Sequence, residues 1–328
     1  MGFLRTIGKG LIAGVGAFSA WRAYSSVAVD HDMPIGPAVD APREEFHGAN
    51  STFLSYYADT SGEGVPILLL HSINAAANAY EVRPLFEHYR GKRPVYALDL
   101  PGFGFSERSK RLYSPELYIA AILDFLQTVI SEPADVVGLS LTSEFMALAN
   151  LESPESMRSL TFISPTGFTP SRAKPTSQSA SENNQSDGFY KFFTNPIWSQ
   201  ALYDLLVTKP SLRFFLSLNF AGDIDEGLFD YHYRSTHQGG ARYAPLSFVS
   251  GLLFTSDIFD RAYSKLTAPV LVLYDTDPNV NFDLLPKVLN QSENWRARRI
   301  VDTRGLPHFE RLDKTTEALD EFWESLTT

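Results

Sequence analysis

Val136-Val137-Gly138-Leu139-Ser140-Leu141-Thr142 decides how this chain is read. An apolar run stops at a small residue, a serine follows, and a helical pattern continues from Thr142 to Leu151. A strand, a sharp turn with serine at its tip and a helix together lift a hydroxyl out of a sheet and over the positive end of a helix. Backbone N–H groups there can meet a developing oxyanion. The common form of this turn is Gly-x-Ser-x-Gly, and Thr142 stands where the second glycine belongs.

A serine alone is unreactive and needs a base held by an acid. Downstream, Pro269-Val270-Leu271-Val272-Leu273-Tyr274 reads as a buried strand that runs into Asp275-Thr276-Asp277-Pro278. Arg299-Ile300-Val301 reads as a further short strand, followed by Gly305-Leu306-Pro307-His308-Phe309 and a helix from about Glu310. Each candidate lies just past the carboxyl end of a strand, where open parallel sheets build their sites. The bland readings are a helix N-cap for Ser140, a turn start for Asp277 and a helix-start histidine for His308. Their joint order sets those readings aside.

At this point the chain resembles the α/β-hydrolase superfamily, in its lid-bearing serine hydrolase branch, from about Thr52 onward. Four motifs carry the resemblance: Leu68-Leu69-Leu70-His71-Ser72, Asp99-Leu100-Pro101-Gly102-Phe103-Gly104-Phe105-Ser106, the Ser140 turn and the late His308. The resemblance implies Ser140 as nucleophile, His308 as general base and Asp277 as orienting acid, in preference to Asp275. Some relatives carry the acid after the strand that follows the elbow helix, but Ser164-Pro165-Thr166-Gly167 offers no carboxylate there. The resemblance also implies an oxyanion hole made by the Ile73 and Leu141 N–H groups, with Asn74 as a candidate side-chain donor. Ser72 departs from the usual glycine. His71 and Asp99 are expected to hold their loops together. Dehalogenases and epoxide hydrolases of this fold place aspartate at the elbow, so an alkyl–enzyme ester is not expected.

The 328 residues, 44% of them hydrophobic, can bury a large core. A net charge of −10 argues against nucleic acid as partner. Without cysteine there is no disulfide framework or thiolate nucleophile. No metal-ligand spacing and no Gly-x-Gly-x-x-Gly at a strand–helix turn is present, so neither metal nor nucleotide cofactor is expected.

The expected fold is α/β: a mostly parallel twisted sheet with helices on both faces and a helical lid insertion. The hydrolase core spans 42–167 and 267–328, the lid 168–266. A hairpin is expected around Gly48-Ala49-Asn50, with strands near 66–71, 95–99, 135–139, 160–164 and 270–274 and helices near 76–89, 115–130 and 142–151. The lid opens with a polar stretch, 169–187, expected to be mobile, and continues with helices rich in Phe, Tyr and Trp. Such aromatics favour an apolar or lipid-like ester as the small-molecule substrate.

Residues 1–29 carry Arg5 and Lys9 ahead of an apolar run too short to span a bilayer. Three readings stand: a signal peptide cleaved after Ser26-Val27-Ala28, a helix lying on a membrane surface, or a docked amphipathic helix. The first two imply an exported or membrane-associated protein, the third a cytoplasmic one. Met1-Gly2-Phe3-Leu4-Arg5-Thr6 also fits a myristoylation pattern. Residues 30–41 read as a linker. The function expected is ester hydrolysis through an acyl-enzyme on Ser140. The alternatives are a carbon–carbon bond hydrolase, a cofactor-free haloperoxidase or perhydrolase, and a non-catalytic ligand-binding protein.

Overall fold

Leu69, at the centre of a strand with every residue buried, has a strand neighbour on each side: Ala97 and Val137. Around it an eight-stranded sheet is built in the order β1-β2-β4-β3-β5-β6-β7-β8. The strands are β1 Arg43–His47, β2 Phe53–Asp59, β3 Ile67–Leu70, β4 Val95–Asp99, β5 Ala134–Leu139, β6 Met157–Ile163, β7 Val270–Tyr274 and β8 Trp295–Arg299. The first hairpin is antiparallel, β2 pairs antiparallel with β4, and all later pairings are parallel. A computed structural model of the chain describes residues 16–170 and 188–326. The cationic start of the chain, the myristoylation pattern and most of the polar stretch 169–187 lie outside the described residues.

Apolar side chains cover both faces of the sheet. Leu68, Leu70, Val136 and Phe162 pack on one face, and Ile67, Leu69, Val137 and Ile163 on the other. This period-2 division is why the inner strands read as continuous apolar runs. The helices that cover the sheet include α2 Arg83–Tyr89, α3 Pro115–Phe125 and α4 Thr142–Glu152. Helix α3 continues through a π-helical turn, Leu126–Ile130, and ends at Ser131 with φ of +62°. The Asp124 carboxylate on α3 accepts from the backbone N–H groups of Asn50 and Ser51, tying the hairpin turn down.

Three expected boundaries moved, one of them the start of β6, at Met157 rather than near 160. The helix foreseen from residue 76 begins only at Ala79, as a 3-10 turn Ala79–Val82 leading into α2. Asn78 is extended, with φ of −173°, and its side chain caps the turn by accepting from the Tyr80 N–H. The last strand lies earlier than foreseen, at Trp295–Arg299. It is an edge strand whose Arg296, Arg298 and Arg299 are exposed and whose Trp295 is buried against Phe162. It therefore lacks an apolar run, and the Ile300-Val301 pair just past its end drew the reading onward.

Among the described residues, six α-helices lie between β6 and β7: α5 at 188–193, α6 Ser199–Leu206, α7 Lys209–Leu218, α8 Glu226–Thr236, α9 Tyr243–Val249 and α10 Ile258–Arg261. A helix at 16–28, α1, docks onto α6. The Trp21 indole donates to the Ala201 carbonyl at 2.7 Å, and Ser25 and His31 both meet the buried Asp204 carboxylate. No helix among the described residues is long and apolar enough to cross a membrane. The remaining helices are α11 Leu285–Gln291, α12 Pro307–Glu310 and α13 Leu312–Glu324.

Candidate active site

Ser140 joins β5 to α4 with φ of +51°, a left-handed conformation that L side chains rarely adopt. Its N–H donates to the Ile163 carbonyl at 2.9 Å, and its own carbonyl accepts from Ser143 N–H at 3.2 Å. The sharp turn is possible because Gly138 has no side chain. A Cβ there would lie 2.1 Å from Met146 Sδ, which packs α4 against the strand end. Thr142, fully buried, donates its hydroxyl to the His71 carbonyl at 2.7 Å. The residue that replaces the expected glycine thus binds the turn to the loop after β3.

That loop is built around His71 and Glu81. The Leu100 N–H donates to His71 Nε2 at 2.9 Å, so the ring carries its proton on Nδ1, 2.6 Å from the Ser72 carbonyl. Burial lowers the pKa of the His71 ring. The Glu81 carboxylate accepts from Ser72 N–H at 2.8 Å and from Asn74 Nδ2 at 3.1 Å. Asn74 Nδ2 also donates to Ser72 Oγ at 2.7 Å, so the donor considered for an oxyanion is committed within its own loop. Asp99 accepts from Ala79 and Phe105 N–H groups, a loop-holding arrangement. Among the described residues, the N–H groups of Ile73 and Leu141 meet no acceptor.

Ser140, Ile73, Leu141 and Asp277 line one cavity of about 910 Å³. Its walls include Leu206, Leu212, Leu216, Phe229 and Phe248 from the helices between β6 and β7. Asp277 Oδ1 accepts from Asn279 N–H at 2.7 Å and Val280 N–H at 3.3 Å. Its Oδ2 lies 3.2 Å from where a Cβ on Gly305 would stand, against the turn that carries His308. Burial pushes the Asp277 carboxyl upward. Asp275 is occupied elsewhere, by Arg299 Nε at 2.6 Å and Thr303 N–H at 3.1 Å.

His308 does not line this cavity. Its ring is fully buried on α12, with Nε2 donating to the Glu81 carbonyl at 2.6 Å. Its Nδ1 has no partner among the described residues. No hydrogen bond joins the ring to Ser140 or to Asp277 among these residues. Burial pushes its pKa down to about 4.

Three cavity residues escaped the reading of the sequence: Glu81, Glu144 and His232. Glu144 stands one helical turn past Ser140, 2% exposed, with Thr166 donating to one oxygen and Thr255 N–H to the other at 2.9 Å. Burial pushes its carboxyl up to about 7. A charged residue four positions beyond Ser140, one turn into the helix, was the available signal. Glu81 and His232 belong to no motif.

The fold and the serine turn define an α/β-hydrolase. The model of the alpha/beta hydrolase family matches residues 67–318, and the chain belongs to that family. Among solved structures, it is similar to a membrane phospholipase A described as a bacterial virulence factor. The TM-score is 0.68 and the identity 16%, over 100% of this chain and 94% of that one. It is similar to a serine hydrolase involved in carbazole degradation, with TM-score 0.68 and identity 15%, over 87% of this chain and 99% of that one. An esterase from Exiguobacterium antarcticum matches with TM-score 0.64 and identity 15%, again over 87% and 99%. No curated protein sequence matches the chain.

Proposed function

We propose that the protein is a serine hydrolase that cleaves carboxylic esters of an apolar or lipid-like substrate. The observation that carries this reading is Ser140 itself. It is held at φ of +51° on the wall of the cavity, with Ile73 and Leu141 lining the same cavity and their N–H groups unpartnered among the described residues. Ester cleavage is also the activity named for two of the structural neighbours, a phospholipase and an esterase.

In this reading Ser140 Oγ attacks the ester carbonyl while His308 Nε2 takes its proton. Asp277 holds the imidazole from the Nδ1 side and stabilises its charged form. Ile73 and Leu141 N–H groups stabilise the oxyanion. His308 then protonates the departing alcohol, and water, deprotonated by the same ring, hydrolyses the acyl-enzyme. The step requires the His308 ring to release the Glu81 carbonyl and to carry its proton on Nδ1, so that Nε2 faces Ser140 Oγ as an acceptor. Hydrogen bonds of resting catalytic sites commonly tighten only with substrate bound. The helices from 188 to 266 act as the lid, and their apolar walls receive the acyl chain.

The position of His308 favours one second reading, a non-catalytic ligand-binding protein on the same fold. Fluorophosphonate labelling separates the two. One adduct on the wild type, absent from Ser140→Ala by intact mass, is the expected result. An unlabelled, well-folded wild type gives the case to the binding protein.

A further inference from the structure

An imidazole other than His308 lines the cavity, and the mechanism above does not use it. His232, on α8, is 5% exposed and lines the cavity with Ser72, Asn74, Glu81 and Ser140. One side of its ring is fixed. Nδ1 meets the Ala76 carbonyl, which also accepts from Asn78 Nδ2 at 2.9 Å. A carbonyl only accepts, so Nδ1 carries the proton; Asn78 Nδ2, 3.3 Å from Nδ1, gives its two protons to the Ala76 carbonyl and Ser235 Oγ, and Nε2 of the neutral ring is an acceptor. Burial lowers the pKa of the ring, which favours that neutral form.

No hydrogen-bond donor reaches Nε2 among the described residues. Glu81 Oε1, another acceptor, lies 3.9 Å from it. Unlike Nδ1 of His308, this nitrogen is not sealed from the cavity. Two acceptors therefore flank a gap beside the Ser72–Asn74 loop, whose Ile73 N–H meets no acceptor among the described residues. Chemistry that fits between them must bring its own proton.

We infer that His232 is a specificity-determining residue that accepts a hydrogen bond from a hydroxyl or amide N–H carried by the substrate near its scissile carbonyl. The inference rests on the cavity being the substrate site of the proposed function. A group without a donor, such as an ether, leaves Nε2 without a partner, whereas Glu81 Oε1 keeps its bond from Asn74 Nδ2. Such sites discriminate strongly because the unmatched ligand leaves buried polar atoms unpaired.

The test uses Ser140→Ala protein, which holds ligand without turning it over. Affinities for methyl 2-hydroxydecanoate, methyl 3-hydroxydecanoate, their methyl ethers and methyl decanoate are measured by calorimetry. At least one hydroxy ester is expected to bind roughly tenfold tighter than its ether and the plain ester. His232→Phe in the same background should equalise the series, whereas His232→Gln, with a carboxamide oxygen near the place of Nε2, should keep most of the preference. Thermal melts establish that each variant is folded. Equal affinities across the series, no binding of either hydroxy ester, or a preference that survives His232→Phe would overturn the inference. Fluorophosphonate labelling of the wild type is scored separately. A preference without labelling removes the esterase reading and leaves His232 in place, while labelling without a preference does the reverse.

Discussion

The Thr142 hydroxyl and the His71 carbonyl are 2.7 Å apart, and this bond joins the two segments from which the site is made. One segment carries Ser140 and the Leu141 N–H, the other the Ile73 N–H. Both partners are fully buried. Thr142→Val keeps the shape and removes the donor. It should lower unfolding free energy by about 1–2 kcal/mol, the usual consequence of leaving a buried acceptor unmatched. Fluorophosphonate labelling should slow as well, because the two N–H groups lose their common brace. Unchanged stability in a denaturant titration would show the bond to be incidental.

Left-handed backbone at Ser140 makes a prediction that separates stability from activity. Ser140→Gly and Ser140→Ala should both fail to label. Glycine adopts φ of +51° without steric conflict and alanine does not. The glycine variant should therefore be the more stable by about 1 kcal/mol. Reversal of that order in chemical denaturation would mean that the turn relaxes when the hydroxyl is removed.

The two aspartates after β7 have separate tasks. Asp277 faces the cavity beside Gly305, and Asp275 fastens Arg299 and Thr303. Asp277→Asn should keep the melting temperature and reduce ester turnover on the order of 10³-fold or more. Asp275→Asn should lower the melting temperature and leave turnover per folded molecule close to normal. Exchange of these two phenotypes would move the orienting role proposed for Asp277 to Asp275.

Glu144 and His308 pull stability in opposite directions with pH. Glu144 titrates near 7 in the folded chain against 4.5 when free, so the native state binds the extra proton between those values. Stability from this group is full below 4.5 and lost as pH rises through 7, a difference of about 3 kcal/mol. His308 titrates near 4 against 6.5, so the unfolded state binds the extra proton there. Its contribution is full above 6.5 and lost as pH falls through 4. The buried His71 and His232 are shifted in the same direction. Glu144→Gln should raise the melting temperature at pH 8 and leave it nearly unchanged at pH 4.5. His308→Gln should flatten the acid side of the profile. Calorimetry at pH 4.5, 6 and 8 reads both.

Much of this architecture was legible because buried parallel strands and turn residues write strong local signals. The Val95–Asp99 and Val270–Tyr274 strands were read to the residue, and the Gly48-Ala49-Asn50 turn was read as a hairpin. The serine turn was legible for the same reason, since Gly138 must be small and α4 must start at once. The surroundings of His308 were not legible. Its contact with Glu81 spans 227 positions and involves a backbone carbonyl, which leaves no mark in side-chain chemistry. The role of Thr142 was hidden likewise, because its acceptor is also a carbonyl, 71 residues earlier. Asn78, read as part of a helix, caps one, since its bonds to Ser235 and to the α8 side of the cavity are tertiary.

Glu81 serves two neighbours with two different parts of itself. Its carboxylate grips Ser72 N–H, and its carbonyl grips His308 Nε2. The short turn from Ala79 to Val82 is thus a common pivot, and a tilt of that turn must move the donor loop and the histidine together. Pressure from α8, which touches the same turn, would reach both at once. In the mechanism proposed above, opening the cavity and releasing His308 then need no long relay: one residue acts as the escapement.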